Sequence, residues 1–532
     1  MTVDLVVGVI SVAPARTVNV RKGGFEMDIV EMLVGDETKA GFSISFWLSP
    51  AESQRVTRSR CKDNLRDSLR KLRPQDLVLV RGVALASFRG RVFGQSLSRR
   101  ITKNETTIEL LFRTAFDADD KTGLFGKQGW KGHETGNTLI DKASKIVVTC
   151  ALRTAITKGG KGGFKDTAAA DLLVGAFTAL IARSRISPDV VEDIKVGSVL
   201  PPGGGATEFR AAALAAGFPE TAAVNSINRQ CSSGLQACVD IANEIRAGMI
   251  EVGIGAGVES MSSQYGPGAV TEFSELLESH REAANCKVPM GVLSEKMAKA
   301  RNVSRKSQDA FAAASYAKAV AAQKAGLFDE EIAPLKVKWT DPKTDEEKEI
   351  TVSRDDGVRE GITAESLGKI RPAFAKEGGT IHAGNASQIS DGAAAVLLMK
   401  RSTAERLGQK IIGKYVAASV VGVAPLLMGI GPWKAIPVAL AKAGISKDDV
   451  DIFEINEAFA SQCVWCVNEL GLPMDKVNPK GGAIAFGHPL GCTGARQIST
   501  LLMELRRRGE RVGVTSMCVG TGMGMAAVWV AE

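Results

Sequence analysis

The stretch Ser226 to Met249, SINRQCSSGLQACVDIANEIRAGM, decides how the rest of the chain is read. It opens tight and polar, passes through Cys231, then carries Leu235, Cys238, Ile241, Ala242 and Ile245 at helical spacing. Cys231 therefore falls where a strand or turn hands over to a helix N-terminus. Unpaired backbone N–H groups and the positive end of the helix dipole favour a thiolate there, and such a setting lowers a thiol from its ordinary value of about 8.5. A buried structural cysteine is the competing reading. Ser232, Ser233 and Gly234 beside it favour close approach by a ligand.

Outward from this point the texture is α/β. KIVVTCALR from Lys145 reads as a buried strand and DTAAADLLVGAFTALIARSR as an amphipathic helix. DVVEDIKVGSVL, TEFRAAALAAGF and TAAVNSIN then read as strand, helix and strand, and MIEVGIGAGVESMS as the strand after the cysteine helix. Such alternation predicts βαβ units and a largely parallel sheet. An internal repeat follows beyond residue 410. ISPDVVEDIKVGSV (186–199) matches ISKDDVDIFEIN (445–456), and VNSINRQCSSGLQACV (224–239) matches IFEINEAFASQCVWCV (452–467). In that register Asn228 answers Asn456, Cys231 answers Phe459, and the first half carries an extra helix and its turns. Between the copies, 263–380 has a different composition, with helical runs and the charged, hairpin-like KVKWTDPKTDEEKEITVS. It reads as an insertion suited to binding a large substrate.

Two glycine-rich stretches resist a purely structural reading. GGAIAFGHPLGCTGARQ (481–497) holds His488 in a loop that Pro489 and a helix follow, and SMCVGTGMGMAAV (516–528) puts Cys518 at a strand end. The pair Cys463 and Cys466 has C-x-x-C spacing but sits inside the helix-like SQCVWCVNEL, which reads as packing.

Across 532 residues, 45% hydrophobic and 24% charged content is that of a globular protein of several domains. No apolar run is long enough to span a membrane, and nine cysteines at irregular spacings do not read as a disulfide framework. The net charge of +8 is uneven: residues 1–113 hold 19 Lys and Arg against 12 Asp and Glu. Their β-branched runs, with the amphipathic KDNLRDSLRKLRP between the third and fourth, resemble an all-β OB-like domain. In that fold a basic groove with stacking aromatics binds single-stranded nucleic acid. Phe46, Trp47, Phe88, Phe93, Arg89 and Arg91 are the candidates, the alternative being that the aromatics are barrel core. Residues 114–141 read as a linker that includes His133.

NRQCSSGLQA, GVESMS, PMG at 289–291, AGNASQISDGAA, MGIGP, INEAFA, GGAIAFGHPLGCTGAR and MCVGTGMG occur in this order. Together they resemble the thiolase family, most closely its peroxisomal 3-ketoacyl-CoA type, from about Lys145 to the end. The resemblance implies a duplicated five-layer α-β-α-β-α fold. Its N-terminal half spans 142–262 and 381–405, a loop domain 263–380, and a C-terminal half 406–532. It implies thiolytic cleavage of 3-ketoacyl-CoA by coenzyme A, with coenzyme A as co-substrate and no permanently bound cofactor or metal. Cys231 matches the nucleophile, His488 its base, a role that suits an imidazole titrating near neutrality, and Cys518 the acid–base cysteine. Asn456 and Gly520 match oxyanion-stabilising positions; glycine at 520 would let the main chain approach closely. Ser387 and Met290 match positions lining the pantetheine tunnel.

His382 stands where the family usually has threonine, and is read as non-catalytic. Pro289, where short-chain biosynthetic members often have histidine, favours broad or long acyl chains. Ketoacyl synthases share the duplicated fold but lack the Cys518 motif, and an acetoacetyl-CoA thiolase is the nearer rival. The resemblance further implies a homodimer or tetramer and a peroxisomal address, with the cytoplasm in reserve because Val530-Ala531-Glu532 is not an SKL-type signal. The basic extension has no counterpart in the family; single-strand binding or the joining of two unrelated reading frames are its alternatives.

Overall fold

The computed structural model describes residues 2–20, 25–35, 40–48, 64–72, 77–88, 91–95, 106–112, 145–265, 272–375 and 377–532. It divides into two compact units, Met1–Gly132 and His133–Glu532. The expected linker 114–141, with His133, lies outside the described residues.

The first unit comprises strands β1 (Thr2–Val12), β2 (Arg16–Val20), β3 (Phe25–Gly35) and β4 (Ala40–Leu48), helix α1 (Asn64–Lys71), and strands β5 (Leu77–Phe88), β6 (Arg91–Gln95) and β7 (Thr107–Phe112). Pairing runs β1-β3-β4-β6-β5, and β5 pairs back to β1, so five strands close on themselves. β4 and β6 run parallel, while the other pairs in the ring are antiparallel. Alternate residues point inward, as period two requires: Val30, Met32 and Val34 on β3, Ile44, Phe46 and Leu48 on β4. A buried ion pair of 2.9 Å, Arg66 to Asp28, ties α1 to the strands. The expected strand count missed β2, so the helix follows the fourth strand rather than the third. Phe46 is fully buried barrel core and cannot stack on a base. Trp47 is half-buried, Phe88, Arg91 and Phe93 lie in strands whose side chains there are not described, and Arg89 lies outside the described residues.

In the second unit the first half is built from β8 (Ile146–Arg153), β9 (Thr157–Lys158), α2 (Ala169–Ser184), β10 (Asp193–Gly197), α3 (Ala206–Ala215), β11 (Ala223–Ile227), α4 (Ser233–Arg246) and β12 (Val252–Ser260). An insertion follows with α5 (Met290–Ala300), α6 (Arg305–Lys324) and the hairpin β13 (Leu335–Thr340) and β14 (Glu347–Val352), before β15 (Ser390–Lys400). The second half has β16 (Gly413–Gly422), α7 (Gly431–Ala443), β17 (Ile452–Ile455), α8 (Ala460–Leu470), α9 (Leu490–Arg508), β18 (Val512–Val519) and β19 (Met523–Ala531). Strand order is β11-β10-β12-β15-β8-β16-β19-β18-β17.

This order is palindromic. Numbered within each half, the strands run third, second, fourth, fifth, first, then first, fifth, fourth, second. The missing third position is marked by the parallel bridge of Phe453 with Val477. Within the sheet the two halves join where Gly413 and Lys414 pair with Val148 and Val147. The expected sheet was largely parallel, but the fifth strand of each half runs antiparallel to the strands flanking it. In the second half a tight turn after Val519 joins β18 to β19, and a hairpin connection enforces that sense.

Topology also corrects the register of the repeat. Asp193 to Ile452, Ser233 to Leu490 and Val252 to Val512 are separated by 259, 257 and 260 residues. The offset is thus nearly constant, and the extra helix expected in the first half does not exist: α3 answers α8, and α4 answers α9. The structural counterpart of the Cys231 turn is the His488 turn, not Phe459. Every strand-to-helix junction in such a fold repeats the same apolar–polar–apolar pattern, so local similarity matched the wrong junction.

α4 and α9 form the middle layer, packed on each other, and α9 touches β12 and β15 of one half as well as β18 and β19 of the other. Residues Gly491 to Leu505 are buried without a break, as a helix between two sheets must be. Three of its buried polar residues are paired: Arg496 with Glu454 at 3.1 Å, Thr500 with Glu331 at 3.1 Å, and Gln497 with the Glu454 carbonyl at 2.8 Å. α2 packs on β8, β12 and β15, and α7 on β16, β18 and β19, forming the outer layers.

Candidate active site

Cys231 is set by a turn that local polar groups close. Asn228 Oδ1 accepts from the Gln230 N–H (2.9 Å), and Ser233 Oγ accepts from the Arg229 N–H (2.9 Å). Gln230 takes φ of +49°, a left-handed value that non-glycine residues seldom adopt. The chain thereby reverses between β11 and α4 and presents Cys231 one residue before the Ser232 cap.

α4 and α9 approach so closely that only glycine fits between them. A Cβ on Gly234 would lie 2.4 Å from the Gly491 carbonyl oxygen, and one on Gly494 would lie 2.2 Å from the Leu235 nitrogen. These contacts bring the two helix starts, with Cys231 and His488, to one place. Glu259, at the end of β12, holds the junction from below. Its carboxylate accepts from Gly491 N (2.9 Å), Val199 N (3.0 Å), Leu200 N (3.0 Å) and Ser198 Oγ (3.1 Å). The sequence showed Glu259 only as a letter within GVESMS; its partners lie 60 and 232 residues away.

His488 is buried, with its N–H donating to the Gln388 carbonyl (3.1 Å) and Ser390 Oγ (3.2 Å). Its Nδ1 is 2.6 Å from Thr493 Oγ1, whose hydroxyl donates to the Pro489 carbonyl at 3.1 Å. With that proton committed, the hydroxyl oxygen accepts from Nδ1–H, and the lone pair of the neutral ring resides on Nε2. Asn456 Nδ2 donates to Nε2 at 3.2 Å, and Asn456 Oδ1 has no hydrogen-bond partner among the described residues. Thr493 escaped the sequence reading because a threonine one helical turn past a Pro reads as an ordinary first-turn residue.

Burial, and next the Arg496 guanidinium, push His488 down to about 3. Burial likewise pushes the Cys231 thiol up to about 11, against the backbone N–H groups of Gly520 and Cys231, which favour its thiolate. The expectations of a lowered thiol and of an imidazole near neutrality are both corrected: desolvation in a closed site outweighs the helix terminus. At rest the thiol and the imidazole are both neutral.

Cys518, at the end of β18, is fully buried in an apolar cluster with Leu293, Ile381, Met428, Ala458 and Phe459. Burial raises its thiol well above the ordinary value, and the adjacent Cys231 thiol is the next influence. Gln462 Oε1 lies 3.6 Å from its Sγ. Gly520 is buried, but a Cβ there would meet only the Gln230 side chain at 3.5 Å. Steric need for glycine falls instead on Gly522 (φ +93°) and Gly524, where a Cβ would lie 2.2 Å from the Gly431 carbonyl oxygen.

The remaining expected residues surround this centre. Met290, half-buried at the start of α5, packs against the Cys518 cluster. The Ser387 N–H donates to the Ala458 carbonyl at 3.0 Å, which stitches its loop to the Asn456 turn. His382 is fully buried with both ring nitrogens engaged: Nε2 with Asp309 at 2.7 Å, Nδ1 accepting from Gly384 N at 3.0 Å. Neither nitrogen is available to a substrate. Cys463 and Cys466 donate to the carbonyls of Asn456 and Gly429, both at 3.3 Å, as packing residues of α8.

A thiol and an unprotonated imidazole nitrogen with a second thiol beside them, at the junction of two copies of one α/β unit, specify a distinctive arrangement. Residues 146–402 match the family model for the N-terminal domain of thiolase, and residues 409–531 that for its C-terminal domain. The chain belongs to the thiolase family. The peroxisomal 3-ketoacyl-CoA thiolase of Yarrowia lipolytica is 59% identical over 387 residues, 73% of this chain and 93% of that protein. The human peroxisomal 3-ketoacyl-CoA thiolase is 53% identical over 390 residues, 73% of this chain and 91% of its own length. Among solved structures, the dimeric peroxisomal thiolase of Saccharomyces cerevisiae superposes with a TM-score of 0.68 at 48% identity, covering 73% of this chain and 97% of that one. Another structure of the yeast enzyme is described as a five-layered arrangement built from two core domains of identical topology. This thiolase has the same layers and the same duplication.

Proposed function

We propose that the protein is a peroxisomal 3-ketoacyl-CoA thiolase, cleaving 3-ketoacyl-CoA with coenzyme A to acetyl-CoA and an acyl-CoA two carbons shorter, as in fatty acid β-oxidation. The observation that carries this reading is the contact of α4 with α9 that brings the Cys231 and His488 turns together, with Cys518 adjacent to Cys231.

His488 Nε2 takes the Cys231 proton as the sulfur attacks the 3-keto carbon. A standing thiolate–imidazolium pair is disfavoured at this site, so proton transfer accompanies attack. Charge on the former ketone oxygen is met by His488 and Asn456, whose free Oδ1 suits a bridging water, or by the N–H groups of Cys231 and Gly520. The C2–C3 bond then breaks, its electron pair passes to C2 of the departing acetyl-CoA, and the Cys518 S–H protonates that carbon. The Cys518 thiolate next accepts the thiol proton of incoming coenzyme A, which attacks the acyl group on Cys231. Coenzyme A is therefore a co-substrate. Ser387 and Met290 line its approach.

Steady-state kinetics with C4 and C16 3-ketoacyl-CoA test the substrate class. Turnover of both is expected, and activity confined to C4 would assign an acetoacetyl-CoA thiolase instead. The active species is a dimer or a pair of dimers, supported by the partly exposed edge strand β11, whose outer side carries no strand among the described residues. For the N-terminal unit, the excess of Lys and Arg in residues 1–113 is what speaks for single-strand binding. Retention of a labelled oligonucleotide that falls as salt rises is expected, and no retention at low salt would end that reading.

A further inference from the structure

Gln462 stands on α8, fully buried, and its Oε1 faces Cys518 Sγ at 3.6 Å. Around Cys518 the other packed neighbours are apolar, among them Leu293, Met428 and Phe459, or are the thiols of Cys231 and Cys466. The Gln462 side chain also bears on the thiols of Cys463 and Cys466. The Gln462 Nε2 has no hydrogen-bond partner among the described residues. A buried amide that leaves a donor unpaired costs free energy that an apolar residue of the same size would not. Its stem is confined, since Gly429 packs against it and a Cβ there would lie 3.3 Å from the Gln462 Cβ. The terminal amide torsion, by contrast, has two broad wells half a turn apart.

We infer that Gln462 is a positioning residue that serves both protonation states of Cys518, accepting from the thiol through Oε1 and donating to the thiolate through Nε2. The inference rests on the reading of Cys518 as the acid and base of the reaction. When the Cys518 S–H bond breaks and its proton forms a C–H bond at C2 of acetyl-CoA, the sulfur keeps the electron pair and a negative charge. An amide oxygen facing that sulfur then repels it. Half a turn of the amide end replaces the oxygen with the unpaired N–H group, at a site where no water is needed. Protonation of the thiolate by coenzyme A reverses the turn. The orphaned donor of the resting state is thus the group required in the next one.

The two half-reactions separate this role from a structural one. Acyl transfer from a saturated acyl-CoA to Cys231 expels a thiolate that is a good leaving group and depends little on Cys518, whereas hydrogen exchange at C2 of acetyl-CoA in deuterated water requires it. Gln462→Met in the full chain is expected to keep acyl transfer within about threefold and to slow exchange by about 10- to 100-fold. The exchange profile should also move to higher pH, because the thiolate loses its donor. Gln462→Glu, of the same size but with oxygens only, should move it further. If both half-reactions fall in the same proportion with the profile unmoved, the role is structural and the inference is wrong. Cys518→Ser is the control. Exchange that survives in it would remove the reading of Cys518 and this inference with it, whereas exchange lost in it but unchanged in Gln462→Met would remove the inference alone.

Discussion

Gly234 on α4 and Gly491 on α9 leave no room for a side chain: a Cβ on the first would lie 2.4 Å from the carbonyl oxygen of the second. The contact sets the separation of Cys231 from His488, which stand three residues ahead of these two glycines. Gly234→Ala must push backbone against backbone. Overpacking of this kind costs about 1–3 kcal/mol, and a displacement near 1 Å between reacting groups costs on the order of 10²-fold in rate. Urea unfolding and kcat measured together should show both losses.

Cys231→Ser should abolish acyl-enzyme formation, seen as the absence of an acyl mass increment after incubation with acyl-CoA, and lower thiolysis by about 10⁴-fold or more. Cys518→Ser should still gain that increment. Thiolytic activity retained in Cys231→Ser would overturn the assignment of the nucleophile.

Thr493 keeps the proton of His488 on Nδ1 and the lone pair on Nε2. Thr493→Val removes the acceptor for Nδ1–H and frees the ring to take the other tautomer. A loss on the order of 10²-fold in kcat is expected, with Thr493→Ser retaining most activity. Nitrogen-15 shifts of labelled histidine would report the tautomer directly, and an unchanged pattern in the valine variant would refute the role.

The low value of His488 has a consequence for stability. Unfolded, the imidazole titrates near about 6.5; folded, burial holds it at about 3. Between those values the unfolded chain binds a proton that the folded one does not, so stability falls as pH falls through this window. From pH 6.5 to 4.5 the loss due to His488 is about 2 kcal/mol. His488→Asn should flatten the dependence of the urea midpoint on pH by that amount, while His382, also lowered by burial, keeps its own share.

Arg153 on β8 is fully buried between Glu331 at 2.9 Å and Asp355 at 2.7 Å, and Lys480, in the loop leading to His488, reaches Glu331 at 3.1 Å. Glu331 and Asp355 both belong to the insertion, so these ions pin it to the core. Removing one member leaves buried charge uncompensated, and Arg153→Met should cost about 3–5 kcal/mol by urea unfolding. A change below about 1 kcal/mol would mean the insertion holds without this cluster.

Much of this protein is legible along the chain. Cys231 at a strand-to-helix junction, His488 and Cys518 in glycine-rich loops, and the alternation of strand and helix follow from local rules of spacing and turn chemistry. These rules act over a few residues, so a linear reading captures them. The tertiary structure decided what depends on distance between segments. It paired the Cys231 turn with the His488 turn, because only sheet order distinguishes one βα junction from the next. It placed Thr493 behind His488, Gln462 before Cys518 and Glu259 beneath Gly491, through contacts spanning up to 232 residues. It also raised Cys231, where the sequence suggested a lowered thiol, and moved His488 well below neutrality. Desolvation is a property of everything packed around a group, and no stretch of sequence carries it alone.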